Sequence, residues 1–159
     1  MNAAVDFVSM LAGAWEGEGD GDFPTLEPFR YRERLRFAPH EDAPVLRYVQ
    51  DTWRITDDGE VQSHWESGFL RARDDGSIDI HDAQESGRTE ILRGTPVATG
   101  DGAWTVTLDS VSLEGDPRMV SSSRTLRLTE STLEYEMSMA TDRVSPPRVH
   151  LRARLRRAR

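Results

Sequence analysis

The chain contains no cysteine, so disulfides, thiolate metal sites and thiol nucleophiles are excluded, and the redox compartment leaves no mark. Lysine is equally absent: all 20 basic residues are arginine, which removes Schiff-base chemistry and the phosphate-loop lysine together. No apolar run approaches the ~20 residues that span a bilayer. The opening Met1-Asn2-Ala3-Ala4-Val5-Asp6 has no basic leader segment, and the cytoplasm is the expected location. No G-x-S-x-G, H-E-x-x-H, dinucleotide fingerprint or phosphate loop occurs. A formal charge of −8 and a pI near 5.0 argue against general nucleic-acid affinity.

What is present is a strand of unusual composition. In Gly13-Ala14-Trp15-Glu16-Gly17-Glu18-Gly19-Asp20-Gly21, alternation puts the glycines and Trp15 on one face and the acids on the other. Such a run marks either close approach by other backbone or a ligand, or a strongly bent strand at a barrel corner. Phe29–Phe37 likewise divides into a face of four arginines and a face of Phe29, Tyr31, Leu35 and Phe37. Further period-two segments are expected near 45–55, 61–71, 77–82, 88–95, 103–112, 122–129, 132–139 and 149–157, separated by turns such as Asp57-Asp58-Gly59 and Asp74-Asp75-Gly76. Val5, Phe7 and Leu11 suit one short helical turn ahead of the first strand. The pattern predicts an all-β fold over 1–159, one domain: an antiparallel up-and-down barrel of about ten strands, lipocalin-like.

A barrel of this size can enclose a ligand or fill with side chains. Trp15, Phe23, Phe29, Tyr31, Trp53, Trp65, Met137 and Met139 suit either cavity wall or core. Of the four histidines, His40 reads as loop and His81 as a strand end. His64 and Glu66 share a strand face and offer either two metal ligands or a base and its orienter. His150 opens the last strand, as a lone metal ligand at the mouth or a satisfied strand histidine. The closing Arg152, Arg154, Arg156, Arg157 and Arg159 read as a solvated face running into a frayed end rather than as an RNA site.

The glycine strand, Phe23-Pro24-Thr25, His64-Trp65-Glu66-Ser67-Gly68-Phe69, Met137-Ser138-Met139-Ala140-Thr141 and His150-Leu151 together resemble the nitrobindin family of haem-binding β-barrels with a fatty-acid-binding-protein-like fold. The resemblance runs from about residue 8 to residue 157. It implies one haem b per chain, bound by His150, with Thr25 over the opposite haem face and with His64, Gln84 and Met139 in the pocket. It further implies nitric oxide binding and isomerisation of peroxynitrite to nitrate, so that His150 and Thr25 become the expected catalytic residues and small molecules the expected ligands of a monomer or homodimer. The alternatives are a carrier of an apolar molecule and a haem-based nitric oxide sensor.

Three departures from the family pattern stand out: Phe23 replaces a tyrosine, Ser121 replaces a lysine available to a propionate, and the Thr141–His150 loop is one residue longer. If His150 points inward, strict alternation also turns Arg152 and Arg154 inward and Leu151 and Leu155 outward. A bulge after His150, or an outer face covered by the N-terminal turn, resolves the conflict.

Overall fold

The structure, a computed structural model, describes residues 2–159. The N-terminal segment makes more than one turn: α1 (Ala3–Leu11) is a nine-residue helix. Asn2 caps it, its side-chain oxygen accepting from the Ala4 amide at 2.9 Å. Ala4, Phe7, Val8 and Leu11 form its buried stripe.

The strands are β1 (Gly13–Gly21), β2 (Phe29–Pro39), β3 (Val45–Thr56), β4 (Gly59–Ala72), β5 (Ile78–Gln84) and β6 (Thr89–Gly94), then β7 (Val97–Gly100), β8 (Ala103–Glu114), β9 (Met119–Leu128), β10 (Thr132–Thr141) and β11 (Arg148–Arg157). All pair antiparallel, β1 pairs with β11, and a β6–β8 pairing closes a ten-stranded barrel. The one strand not expected is β7. It continues along β8 where β6 stops, the two being separated by Thr95-Pro96, and a proline cannot donate to the ladder.

Three tiers fill the interior. The end nearest α1 is apolar: Trp15, Leu46, Leu70, Ile78, Leu92, Leu108, Leu128 and Leu155 pack there with the helix. Trp15 is therefore core rather than cavity wall, and its indole nitrogen donates to the Leu11 carbonyl at 2.9 Å. A polar tier of Glu33, Gln50, Glu66, Asp82, Glu90 and Arg124 follows, all buried. Beyond it lies an open cavity.

The glycine face of β1 is not a bare wall. Gly19 and Gly21 pair with Tyr31 and Phe29 of β2, and a methyl group at either position would overlap those rings; at Gly17 it would strike the Arg154 carbonyl. The missing side chains thus admit the neighbouring strand's aromatics and a close backbone, and Phe29 and Tyr31 in turn face the cavity. The four arginines of β2 point outward, where Arg30 pairs with Glu18 and Arg32 with Glu60. Trp53 and Trp65 are also outside: Trp53 lies under the Arg32 guanidinium at 4.0 Å, and Trp65 is half exposed.

Candidate functional site

The cavity at the open end encloses about 350 Å³. Phe23, Leu26, Phe29, Met137, Met139 and Leu151 supply apolar walls, and His64, Gln84, Arg54, Arg88 and His150 supply polar groups. Most of the remaining lining is polar as well, including Glu66, Glu85, Glu90 and several serines, so the apolar groups form one part of a mixed wall.

His150 gets there by a bulge. Met137 of β10 pairs with Leu151, but the next residue, Ser138, pairs with Val149, which leaves His150 without a partner across the ladder. One extra residue resets the alternation. His150 and Leu151 both line the cavity, Ala153 and Leu155 are buried, and Arg152 and Arg154 face solvent. The bulge itself resolves the register conflict. Beside His150 the Phe23 ring lies 4.9 Å away, centroid to centroid, and the His150 carbonyl accepts from the Asp22 amide at 2.8 Å. Burial, opposed by a polar contact with the Arg148 backbone and reinforced by the charges of Arg88 and Arg124, pushes the imidazole down to about 4. It is therefore neutral at physiological pH, and its Nδ1 is buried without a hydrogen-bond partner.

Below the cavity the polar tier groups three carboxyls around one guanidinium and holds a fourth, Glu33, in a hydrogen-bonded group of its own. Arg124 grips Glu66 with two nitrogens, at 2.9 and 2.7 Å, and also donates to Asp82 at 3.0 Å and Glu90 at 3.2 Å. Burial pushes Glu66 up, but the Arg124 charge and hydrogen bonds outweigh it and hold the carboxyl below its ordinary value. Asp82 goes the other way: burial and the Glu66 charge raise it to about 8. Glu33, fully buried, accepts from Gln50 and, at 2.6 Å, from the Tyr135 hydroxyl, which also bonds Tyr31 at 2.7 Å. Burial pushes the Glu33 carboxyl up to about 7. Of this tier the sequence singles out only Glu66, beside His64; there it is bound by Arg124, while Glu33 is missed although it shares the inward face of Phe29, Tyr31 and Leu35.

The remaining expected site residues are placed as follows. His64, Gln84 and Met139 line the cavity. His64 occupies a second bulge, where Thr52 bonds both its amide and its carbonyl, and its Nδ1 lies 3.3 Å from Glu85. Thr25 stands exposed in a turn and is off the cavity wall, between Phe23 and Leu26, which line it. His40 is in an exposed loop, its Nδ1 accepting from the Asp42 amide. His81 lies within β5 rather than at its end, 3.3 Å from Asp79. Arg157 is not frayed: its guanidinium donates to the Ala12, Met10 and Glu130 carbonyls and covers Trp15.

These groups fit an iron porphyrin. A neutral imidazole with an unpartnered nitrogen, on the wall of a cavity that also carries Phe23, Phe29, Met137, Met139 and Leu151, is the donor a single-histidine haem requires, and no group of three or more metal-binding side chains competes with it among the described residues. Residues 4–157 match the family of the THAP4-like, heme-binding beta-barrel domain. A peroxynitrite isomerase of Arabidopsis thaliana is 35% identical over 151 residues, covering 92% of this chain and 84% of its own. Peroxynitrite isomerase 2 of Mycobacterium marinum is 35% identical over 156 residues, 96% of this chain and 94% of its own. The crystal structure of Rv2717c from M. tuberculosis superposes with a TM-score of 0.88 at 32% identity and covers 98% of both chains. By sequence, by barrel and by the cavity that the barrel opens, the chain belongs to the THAP4-like heme-binding β-barrel domains, the nitrobindin family.

Proposed function

We propose that this chain binds one haem b in the open cavity through His150, binds nitric oxide there, and isomerises peroxynitrite to nitrate. The observation that carries the reading is His150, bulged out of the ladder, neutral and with a buried nitrogen left without a partner. The relatives named peroxynitrite isomerase support the reaction. When bound through His150, haem would supply an iron able to take small ligands.

The chain's own side chains do the rest. Phe23 packs against the imidazole and fixes its tilt. Phe29, Met137, Met139 and Leu151 offer the porphyrin an apolar seat and keep water away from it. Ser121 cannot replace the family's lysine as a propionate partner; Arg54 and Arg88 on the cavity wall can, and Arg88 is already steadied by Asp116 at 3.0 Å. The same two cations favour an incoming anion locally against the overall charge of −8. His64, beside Glu85 on the cavity wall, would polarise a ligand. Thr25 would act from its turn at the Phe23–Leu26 edge.

The apolar-carrier reading finds no support for a fatty acid, because the buried arginine is already engaged by three carboxyls and offers no free seat for a fourth. Stopped-flow decay of peroxynitrite tests the reaction. The account expects the decay rate to rise in proportion to haem-loaded chain, with nitrate gained at the expense of nitrite, and Thr25→Val to alter the rate with haem still bound. A decay rate indifferent to the loaded chain would reject the isomerase.

A further inference from the structure

One buried acid takes no part in holding the haem. Glu33 is fully buried and off the cavity wall, and its two oxygens have separate partners. Oε1 accepts from the Gln50 amide nitrogen, and Oε2 accepts from the Tyr135 hydroxyl at 2.6 Å. The Tyr135 oxygen in turn lies 2.7 Å from the Tyr31 hydroxyl. Tyr135 is thereby engaged on both sides, whereas the Tyr31 hydroxyl has no other hydrogen bond among the described residues, and Tyr31 lines the cavity. Its seat is shaped by Gly19, where a methyl group would overlap the hydroxyl. With Gln50 holding Oε1, the exchangeable position on the carboxyl is Oε2, the one that faces the tyrosines.

Such a chain has two polarities. With Glu33 ionised, Tyr135 donates to it and Tyr31 donates to Tyr135, which leaves the Tyr31 oxygen free to accept. With Glu33 protonated every bond reverses, and Tyr31 becomes a donor to whatever occupies the cavity. Burial holds both phenols well above their ordinary value, so they pass a proton as neutral hydroxyls. Glu33, raised to about 7, is the member that changes charge near neutrality. The residues set against it on β1, β3 and β10 are Gly17, Thr52, Gln50 and Tyr135; charge reaches it from Glu66 on β4, which raises it, and from Arg124 on β9, which lowers it. We propose that Glu33, Tyr135 and Tyr31 are a proton wire that takes a proton from an acidic ligand in the cavity and later returns it. For its substrate the wire rests on the isomerase reading. Peroxynitrous acid, HO–O–N=O, becomes nitrate and one proton: the O–O bond breaks, the hydroxyl oxygen bonds to nitrogen, and no electron is gained or lost overall. The proton goes to Tyr31 as Tyr31 gives its own to Tyr135 and Tyr135 gives its own to the Glu33 carboxylate. The peroxynitrite anion brings no proton and leaves the wire at rest. Tyr31 meets the ligand, and Glu33 acts through it.

Infrared difference spectra of the chain without haem, taken across about pH 5 to 9, test the wire apart from the reaction. As pH rises the wild type should lose a protonated-carboxyl band and shift its phenol C–O bands in step, with one midpoint near 7. Glu33→Gln should abolish both changes, while Tyr31→Phe should keep the carboxyl change and lose part of the phenol change. The second readout adds hydrocyanic acid to the haem-loaded chain, a probe that stays protonated over most of this range and must give up its proton to bind iron. Its association rate in the wild type should rise through the same midpoint by about a hundredfold, the low end of what a positioned base contributes, and should lie flat in Glu33→Gln and Tyr31→Phe with the Soret band kept. Circular dichroism shows whether each variant is folded, and if one is not, the other carries the comparison. A carboxyl band that titrates while the phenol bands stay still, phenol shifts that persist in Glu33→Gln, or a rate step of equal size in wild type and variants would overturn the wire. A wild type without a Soret band would instead reject the haem reading, and the infrared spectra would still decide the wire.

Discussion

Glu33 shows how much a single side chain in the barrel can govern. Its carboxyl is raised by burial to about 7, with the hydrogen bonds from Tyr135 and Gln50 pulling the other way. In the unfolded chain it titrates near the ordinary glutamate value, so between roughly pH 4.5 and 7 the folded state binds more protons than the unfolded one. Its contribution to stability is therefore greatest in acid and falls as pH rises through that window, by on the order of 3 kcal/mol. Asp82, raised to about 8, extends the fall. Glu33→Gln keeps the shape and cannot ionise. Thermal melts from pH 4 to 8 should show the variant gaining on the wild type as pH rises to 7 and then running parallel; a constant difference across the range would contradict the account. The sequence places Glu33 on the inward face by alternation alone, yet a glutamate flanked by arginines reads as solvated. Its burial depends on Gln50 and Tyr135, which reach it only through the closed barrel.

At the scale of elements, the last strand does two jobs from its two ends. His150 leaves the ladder at one end and enters the cavity; Arg157 at the other end seals α1. A helix C-terminus leaves carbonyls without partners, and the Arg157 guanidinium takes those of Met10 and Ala12 at 2.7 Å each while lying 4.2 Å over Trp15. Arg157→Ala should cost about 1–3 kcal/mol, the range for buried polar groups left unsatisfied, read as a lower urea midpoint with faster amide exchange in α1; exchange unchanged in the helix would show that the contact carries no weight. Strand number and most strand positions were legible from period-two patterning, as was the grouping of Phe29, Tyr31, Leu35 and Phe37. The bulge was legible only as a conflict, because alternation cannot say which residue is skipped. α1 exceeded the expected turn since its stripe of Ala4, Phe7, Val8 and Leu11 finds burial only against the barrel end. The glycine run left close approach by backbone or ligand and a bent strand as alternatives; close approach is what it provides, by backbone at Gly17 and by rings that then line the cavity at Gly19 and Gly21.

Over the whole molecule, a helix-plugged apolar end, a polar tier and an open cavity are stacked along one barrel. The helix and apolar end carry the burial that stabilises the fold. That leaves the other end free to stay hollow, and the polar tier divides the two. With three carboxyls set around one arginine, the floor suits neither a fatty acid head nor a second anion, which leaves the wall that holds His150. Depression of the imidazole to about 4 keeps it neutral, and hence able to bind iron, well below pH 6; the pH must fall toward that value before protonation competes. The most direct test is a titration of ferric haem into the wild-type chain and into His150→Ala at neutral pH, followed by the Soret band, with far-ultraviolet circular dichroism confirming that both are folded. The account predicts a saturable one-to-one band in the wild type that is lost in the variant. No band in the wild type, or the same band in both, would contradict it.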